Sequence, residues 1–242
     1  MRSVAKGRGL TAEIASAGEA LARGEPVLIF DAADREGETD LVFLSERATP
    51  ELVRLQRRDA GGLICTAISE ELRRRLGLPY ASDLLRTGQE EYPILGSLRL
   101  QQLRYDARSA FGITVNHRTN FTGVPDNDRS TTIRAVGALA ARARTLTDEE
   151  LTERFVAEFT SPGHVPILYA APTLVRERKG HTELAISLAR MTGLSESVTV
   201  CEMLGDSGGA RSPEAARRYA LEHGWPFLEG RTIAEAWVEW SA

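Results

Sequence analysis

The sequence contains only two cysteines, Cys65 and Cys201, among 242 residues. A disulfide framework and a cysteine-based zinc cluster are therefore excluded, and a reducing, cytoplasmic setting is expected. No apolar run approaches the ~20 residues needed to cross a bilayer. The N-terminus, MRSVAKGRGLTAEIAS, is basic but has no apolar stretch, so neither a secretory signal nor a membrane anchor is expected. Long basic runs are missing as well. Thirty Lys and Arg stand against 34 Asp and Glu, a net charge of −4. Dedicated nucleic-acid binders gain affinity by neutralising phosphates, so no nucleic-acid partner is expected. Internal repeats, low-complexity tracts and a G-x-G-x-x-G turn are also lacking.

What remains is an average globular composition, 42% hydrophobic and 26% charged. A chain of this length can bury one substantial core. No Pro/Ser/Gly-rich linker divides it, so residues 1–242 are read as a single domain.

Apolar periodicity and punctuation give a coarse order of elements. Residues 11–24 read as a helix, with Thr11 as N-cap and Gly24 as stop. The short apolar runs PVLIF, LVFL (41–44), GLICTAI (62–68) and FGITVN (111–116) read as strands. Residues 49–59 and 148–159 read as helices, and 69–78 as a charged amphipathic turn or helix. HRTNFTGVPDNDRS (117–130) is a turn-rich loop in which Ser130 is placed to cap the next helix. SPGHVPILYA (161–170) reads as a loop and short strand, 182–193 as a helix, SVTVCEML (197–204) as a strand and 213–223 as a helix. Residues 79–110 give no clear pattern. Without a regular βαβ period, the expected fold is α+β: a single three-layer domain with a mixed twisted sheet covered by helices on both faces.

The densest chemical signal is DAADREGETD (31–40), with five carboxylates and one Arg in ten residues. If 34–40 is extended, Asp34, Glu36, Glu38 and Asp40 share one side. Such a strip repels itself unless a cation offsets it, and Mg²⁺ favours oxygen ligands; a solvated acidic turn has the same composition. In RERKGHTE, Arg176, Arg178 and Lys179 precede a helix start near Gly180–Thr182. Cations are unfavourable at that dipole end without an anion, so a phosphate site is expected, with His181 beside it as a possible metal ligand. His164, taken alone, reads as a hydrogen-bonded structural imidazole. Glu202 stands in an apolar strand, either at its wet end or held for proton transfer.

In order along the chain, DREGETDLVF, GLICTAIS, FTGVPDNDRSTTIRA, SPGHVPILYA, RKGHTELAISLARMTGL and VTVCEML resemble the 3,4-dihydroxy-2-butanone 4-phosphate synthase family. The resemblance runs from about residue 25 to 230. It implies a lyase of riboflavin biosynthesis that converts D-ribulose 5-phosphate to L-3,4-dihydroxy-2-butanone 4-phosphate and formate through a metal-stabilised enediolate, with Mg²⁺ or Mn²⁺. Glu36 and His181 match the metal ligands, and Arg35 and Asp40 match substrate contacts. Arg178, Lys179, Gly180, His181 and Thr182 match the substrate- and phosphate-binding run. His164 and Glu202 match catalytic positions, Glu38 an acid/base position, and Cys65 a cysteine near the site. The resemblance further implies a homodimer with sites at the subunit interface and His164 acting across it. A stand-alone form is expected, because the cysteine-rich motif of a fused GTP cyclohydrolase II domain is absent. The loop 31–40 and parts of 79–110 are candidate lids. A different metal-dependent sugar-phosphate isomerase or lyase, and a non-catalytic nucleotide- or RNA-binding protein on a related fold, are the alternatives.

Overall fold

The computed structural model describes residues 10–98, 106 and 108–242. Part of the stretch 79–110, a candidate lid, lies outside them. The strands are β1 (Val27–Phe30), β2 (Thr39–Leu44), β3 (Cys65–Ile68), β4 (Phe111–His117), β5 (Phe159–Tyr169), β6 (Ser197–Val200) and β7 (Phe227–Glu229). The helices are α1 (Ala12–Arg23), α2 (Pro50–Leu55), α3 (Glu70–Arg75), α4 (Ala81–Gly88), α5 (Pro93–Ser97), α6 (Asp126–Arg142), α7 (Asp148–Glu158), α8 (His181–Met191), α9 (Pro213–His223) and α10 (Gly230–Trp240). No helix of the described residues is long and apolar enough to cross a membrane.

One seven-stranded sheet runs in the order β4-β5-β3-β6-β2-β1-β7. The β1–β7 and β3–β5 pairs are parallel and the others antiparallel, so the sheet is mixed. Period-2 alternation divides its side chains between two cores. Val27, Ile29, Val42 and Leu44 pack with α1, α8 and α10. Leu28, Leu41 and Phe43 pack with α2, α6, α7 and α9 on the other face. Helices therefore cover both faces, as the apolar runs imply.

Local chemistry explains where elements begin and end. The Thr11 side chain accepts from Ile14 N–H, and α1 stops at Gly24 as expected. Ser130 differs from its expected role. Helix α6 starts at Asp126, directly after Pro125, and buried Ser130 donates from Oγ to the Asn127 carbonyl at 2.9 Å. Asp126 and Asp128 in the first turn suit the positive dipole end, and Asp126 is further held by Arg57. SPGHVPILYA is not a loop followed by a short strand. All but its last residue lies within an eleven-residue β5 that pairs with β4 across two register shifts. In SVTVCEML the regular strand ends at Val200, and residues 202–204 continue through single bridges, Glu202 to Asp40 of β2, Met203 to Gly61 and Leu204 to Ala210.

Gly137 permits the approach of α6 to the turn at 45–47. A Cβ there would lie 2.2 Å from Glu46 N and 2.5 Å from the Ser45 carbonyl carbon. On an exposed helix, Gly→Ala stabilises by about 1 kcal/mol. Here Gly137→Ala is expected to destabilise by about 3 kcal/mol, because the clash is with backbone. A lowered urea midpoint at unchanged m-value would show it.

Candidate active site

Strand β1 ends at Phe30, and the next residue organises the acidic loop. Asp31 is buried. Its Oδ2 accepts from Glu36 N–H at 3.0 Å and from Arg35 Nη1 at 3.1 Å, and its Oδ1 accepts from Glu38 N–H at 3.0 Å. These bonds curl residues 33–36 into a turn. The expected extended strip over 34–40 is therefore absent, because the Asp31 carboxylate gathers the backbone N–H groups that an extended chain would spread apart. Glu36, Glu38 and Asp40 still converge on one cavity of about 450 Å³, whereas exposed Asp34 faces a separate groove.

Asp40 comes second in β2 and is 2% exposed. It bridges Glu202 across the antiparallel pair. The flanking bonds, Leu41 N–H to Cys201 O and Met203 N–H to Thr39 O, make this the close, non-hydrogen-bonded type of pair. Two carboxylates thus face each other on one side of the sheet. Glu202 Oε2 accepts from Leu63 N–H at 2.8 Å. Asp40 Oδ1 has no hydrogen-bond partner despite its burial. Burial, reinforced by Glu202, Glu36 and Glu38 and only partly offset by His181, pushes the Asp40 carboxyl up to about 7. Burial and then Glu202 and Glu36 push Glu38 up as well. Burial also pushes the Cys65 thiol up, so this cavity-lining cysteine is a poor nucleophile.

The fourth side chain comes from α8. His181 is its first residue and is buried. Its Nε2 lies 3.1 Å from the Glu38 carbonyl, which accepts only, so that nitrogen carries the proton. A neutral His181 then points its Nδ1 lone pair at Glu36 Oε2, 3.3 Å away, and at Asp40 Oδ1, 3.6 Å away. Three acceptors meet with nothing between them, an arrangement that needs a positive charge. Protonation is one answer: burial opposes the imidazolium, but Asp40, Glu36 and Asp31 outweigh it and push His181 up to about 9. Conversely, burial works against the Glu36 charge, yet His181 and Arg35 hold its carboxyl down at about 2.

A hard divalent cation suits the same donors, and a ligating imidazole commonly donates its other N–H to a backbone carbonyl, as here. Asp31, Glu36 and His181 each bring a ligand atom within 4.8 Å of the others. Asp31 is already committed to Arg35 and two backbone N–H groups, so Asp40, with its free oxygen, is the better third donor.

Cationic groups line the other side of the cavity. Arg178 and Arg35 both reach Asp106, at 2.7 and 2.5 Å. Gly180 makes room for them. A Cβ there would lie 2.3 Å from Arg178 Nη1 and 2.8 Å from Arg35 Nη2. Thr182, in the first turn of α8, also lines the cavity. Of the three cations before the helix, only Arg178 faces it. Exposed Lys179 lines the neighbouring groove, and Arg176 donates to Ser241 Oγ at 2.8 Å. Arg35 supplies the second guanidinium from the acidic loop. His164 is exposed on β5, with its Nδ1 beside the Asn116 amide, and it does not line the cavity.

Asp31, Asp106 and Glu183 are parts of this site that sequence reasoning did not single out. Asp31 carries a signal, a carboxylate directly after a buried strand. Glu183 closes the GHTE motif. Asp106 stands in the stretch without a readable pattern.

The chain is 46% identical over 222 residues to the 3,4-dihydroxy-2-butanone 4-phosphate synthase of Methanothermobacter thermautotrophicus, covering 91% of this chain and 94% of that one. It is 34% identical over 199 residues to a riboflavin biosynthesis protein of Bacillus velezensis, covering 82% of this chain and 42% of that protein. A 3,4-dihydroxy-2-butanone 4-phosphate synthase solved in complex with two magnesium ions shares the fold, with a TM-score of 0.68 at 23% identity over 90% of this chain and 92% of that one. The sequence profile for 3,4-dihydroxy-2-butanone 4-phosphate synthase matches residues 15–236, and the chain belongs to that family.

Proposed function

We propose that the protein is a carbon–carbon lyase that converts D-ribulose 5-phosphate to L-3,4-dihydroxy-2-butanone 4-phosphate and formate in riboflavin biosynthesis. The observation that carries this reading is the meeting of His181 Nδ1, Glu36 Oε2 and the partnerless Asp40 Oδ1 next to two guanidiniums. One end of the cavity suits a divalent cation and the other a phosphate. The two products together hold all the atoms of the substrate, so no oxidant or reductant is consumed.

Glu36 and His181 would hold Mg²⁺, with Mn²⁺ able to serve. When bound, the ion supplies Lewis acidity to the sugar oxygens that turn negative when a proton leaves carbon. The chain's own groups do the rest. Arg178, Thr182 and the N-terminal N–H groups of α8 bind the phosphate, and Arg35 contacts the sugar. Asp40, with its carboxyl raised toward neutrality, takes the proton next to the ketone and leaves an enediolate. Glu38 and Glu202 carry protons to and from the departing hydroxyl. The site must close to keep water off the intermediate while the skeleton rearranges and formate leaves.

His164 completes the site from a second copy of the chain, which accounts for its distance from the cavity in one subunit. The working form is then a homodimer of single-domain subunits. Lys179 assists by its charge at the mouth.

The test is a formate assay with ribulose 5-phosphate and Mg²⁺. Formate is expected with metal, and its release is expected to stop with excess EDTA. An isomeric pentose phosphate without formate overturns the reading in favour of an isomerase.

A further inference from the structure

Glu183 is wholly buried on α8, two residues after His181. Its two oxygens are divided between two donors. Oε1 accepts from Ala171 N–H at 2.9 Å, and Oε2 accepts from Arg178 Nη1 at 2.6 Å. The opposite edge of the same guanidinium, Nε and Nη2, lies 2.8 and 2.7 Å from Asp106 Oδ2.

A guanidinium is a rigid plane, so fixing one nitrogen and its direction fixes where the remaining edge points. Glu183 is suited to do this. It sits in the first turn of a helix that is buried almost throughout, where the dipole favours its charge. The Ala171 backbone holds its other oxygen. Capping Ala171 alone would need only a neutral acceptor, whereas a buried full charge is costly unless it is paired. The paired group is Arg178. Asp106, by contrast, shares one oxygen with both Arg178 and Arg35, the kind of contact an incoming phosphate oxygen can replace.

We infer that Glu183 is a positioning residue: it holds Arg178 by Nη1 so that the Nε/Nη2 edge faces the phosphate of the substrate. This inference rests on the proposed reaction for its substrate, but its geometry concerns any phosphate in the cavity.

Glu183→Gln keeps a carbonyl oxygen for Ala171 and removes the charge that pairs with Arg178. It is expected to raise KM for ribulose 5-phosphate about tenfold and leave kcat within about threefold, the pattern of lost uniform binding. In an Arg178→Ala background the same change is expected to alter KM by less than about twofold, because its effect runs through the missing group. An equal factor in both backgrounds overturns the inference and leaves Glu183 a structural residue. If Glu183→Gln does not fold, Glu183→Asp, shorter by one methylene, enters the same cycle with the same outcomes. Calorimetric titration with inorganic phosphate separates this from the reaction itself. In a protein that releases no formate, phosphate binding about tenfold weaker in Glu183→Gln still supports the positioning role, and unchanged binding overturns it.

Discussion

His181→Ala is expected to reduce formate release from ribulose 5-phosphate by at least about a thousandfold, the scale of losing a Lewis acid from an enolisation. Two effects coincide at this residue. The imidazole nitrogen that faces Glu36 and Asp40 disappears, and so does the Nε2 bond that ties α8 to the Glu38 carbonyl. Glu36→Gln separates them, because it weakens the cation site and leaves that tie intact. It is expected to lose activity on a similar scale, with Mn²⁺ binding weakened in both variants by calorimetric titration. Thermal unfolding in chelator should come earlier for Glu36→Gln as well, because, against the cost of burial, His181 and Arg35 hold the Glu36 carboxyl down at about 2 and its charge therefore stabilises the fold. His181→Ala with near wild-type turnover would remove the imidazole from the proposed chemistry.

Asp40→Asn is expected to have two large and opposite effects. Turnover should fall about a thousandfold, since an amide cannot accept the proton. Stability in chelator at pH 8 should rise by about 2 to 4 kcal/mol, because a buried carboxylate that faces Glu202, and whose Oδ1 has no hydrogen bond, is replaced by a neutral isostere. The pH dependence fixes the sign. The folded-state carboxyl lies at about 7, above its ordinary value near 4. Between those values the folded state binds more protons than the unfolded state, so this residue lowers stability as pH rises from about 4 to about 7. Asp40→Asn should lack that decline, and it should also shrink the one from His181, because Asp40 is the foremost of the charges that raise the imidazole. The His181 contribution is present below about 6.5 and lost as pH rises through about 9. Urea melts of the chelated proteins at pH 5 and 8 measure the difference. A variant as pH-sensitive as the wild type between those points would show that Asp40 is not strained.

The strands were legible because their side chains report burial directly. VLIF and LVFL are apolar on both faces, and the strand at 197–200 is buried on both although Ser197 and Thr199 are polar, as a sheet packed between two helical layers requires. Glu36, Glu38, Asp40 and His181 stood in acidic and basic segments that a solvated turn or helix flank could equally explain, and the ordered family motifs singled them out. What escaped was any feature set by long-range partners. Ser130 looks like a cap by its local sequence, yet Pro125 and the Asp126–Arg57 pair start the helix earlier. The acidic loop alternates its carboxylates as a strand would, but a tertiary hub at Asp31 overrides that pattern. Arg176 and Lys179 match Arg178 in charge, and the path of the chain before α8 sets their separate directions. Asp106 lies 71 residues from the Arg35 that it pairs with, a relation no local pattern encodes.

The Asp31 hub also bears on how this enzyme can vary. Two backbone N–H hydrogen bonds to one carboxylate measure out the chain from residue 31 to residues 36 and 38, so the register of the reactive side chains depends on loop length more than on the identity of the residues between. The exposed positions Ala33 and Asp34 are free to drift in identity, while a single inserted or deleted residue there would put every acid beyond it out of phase.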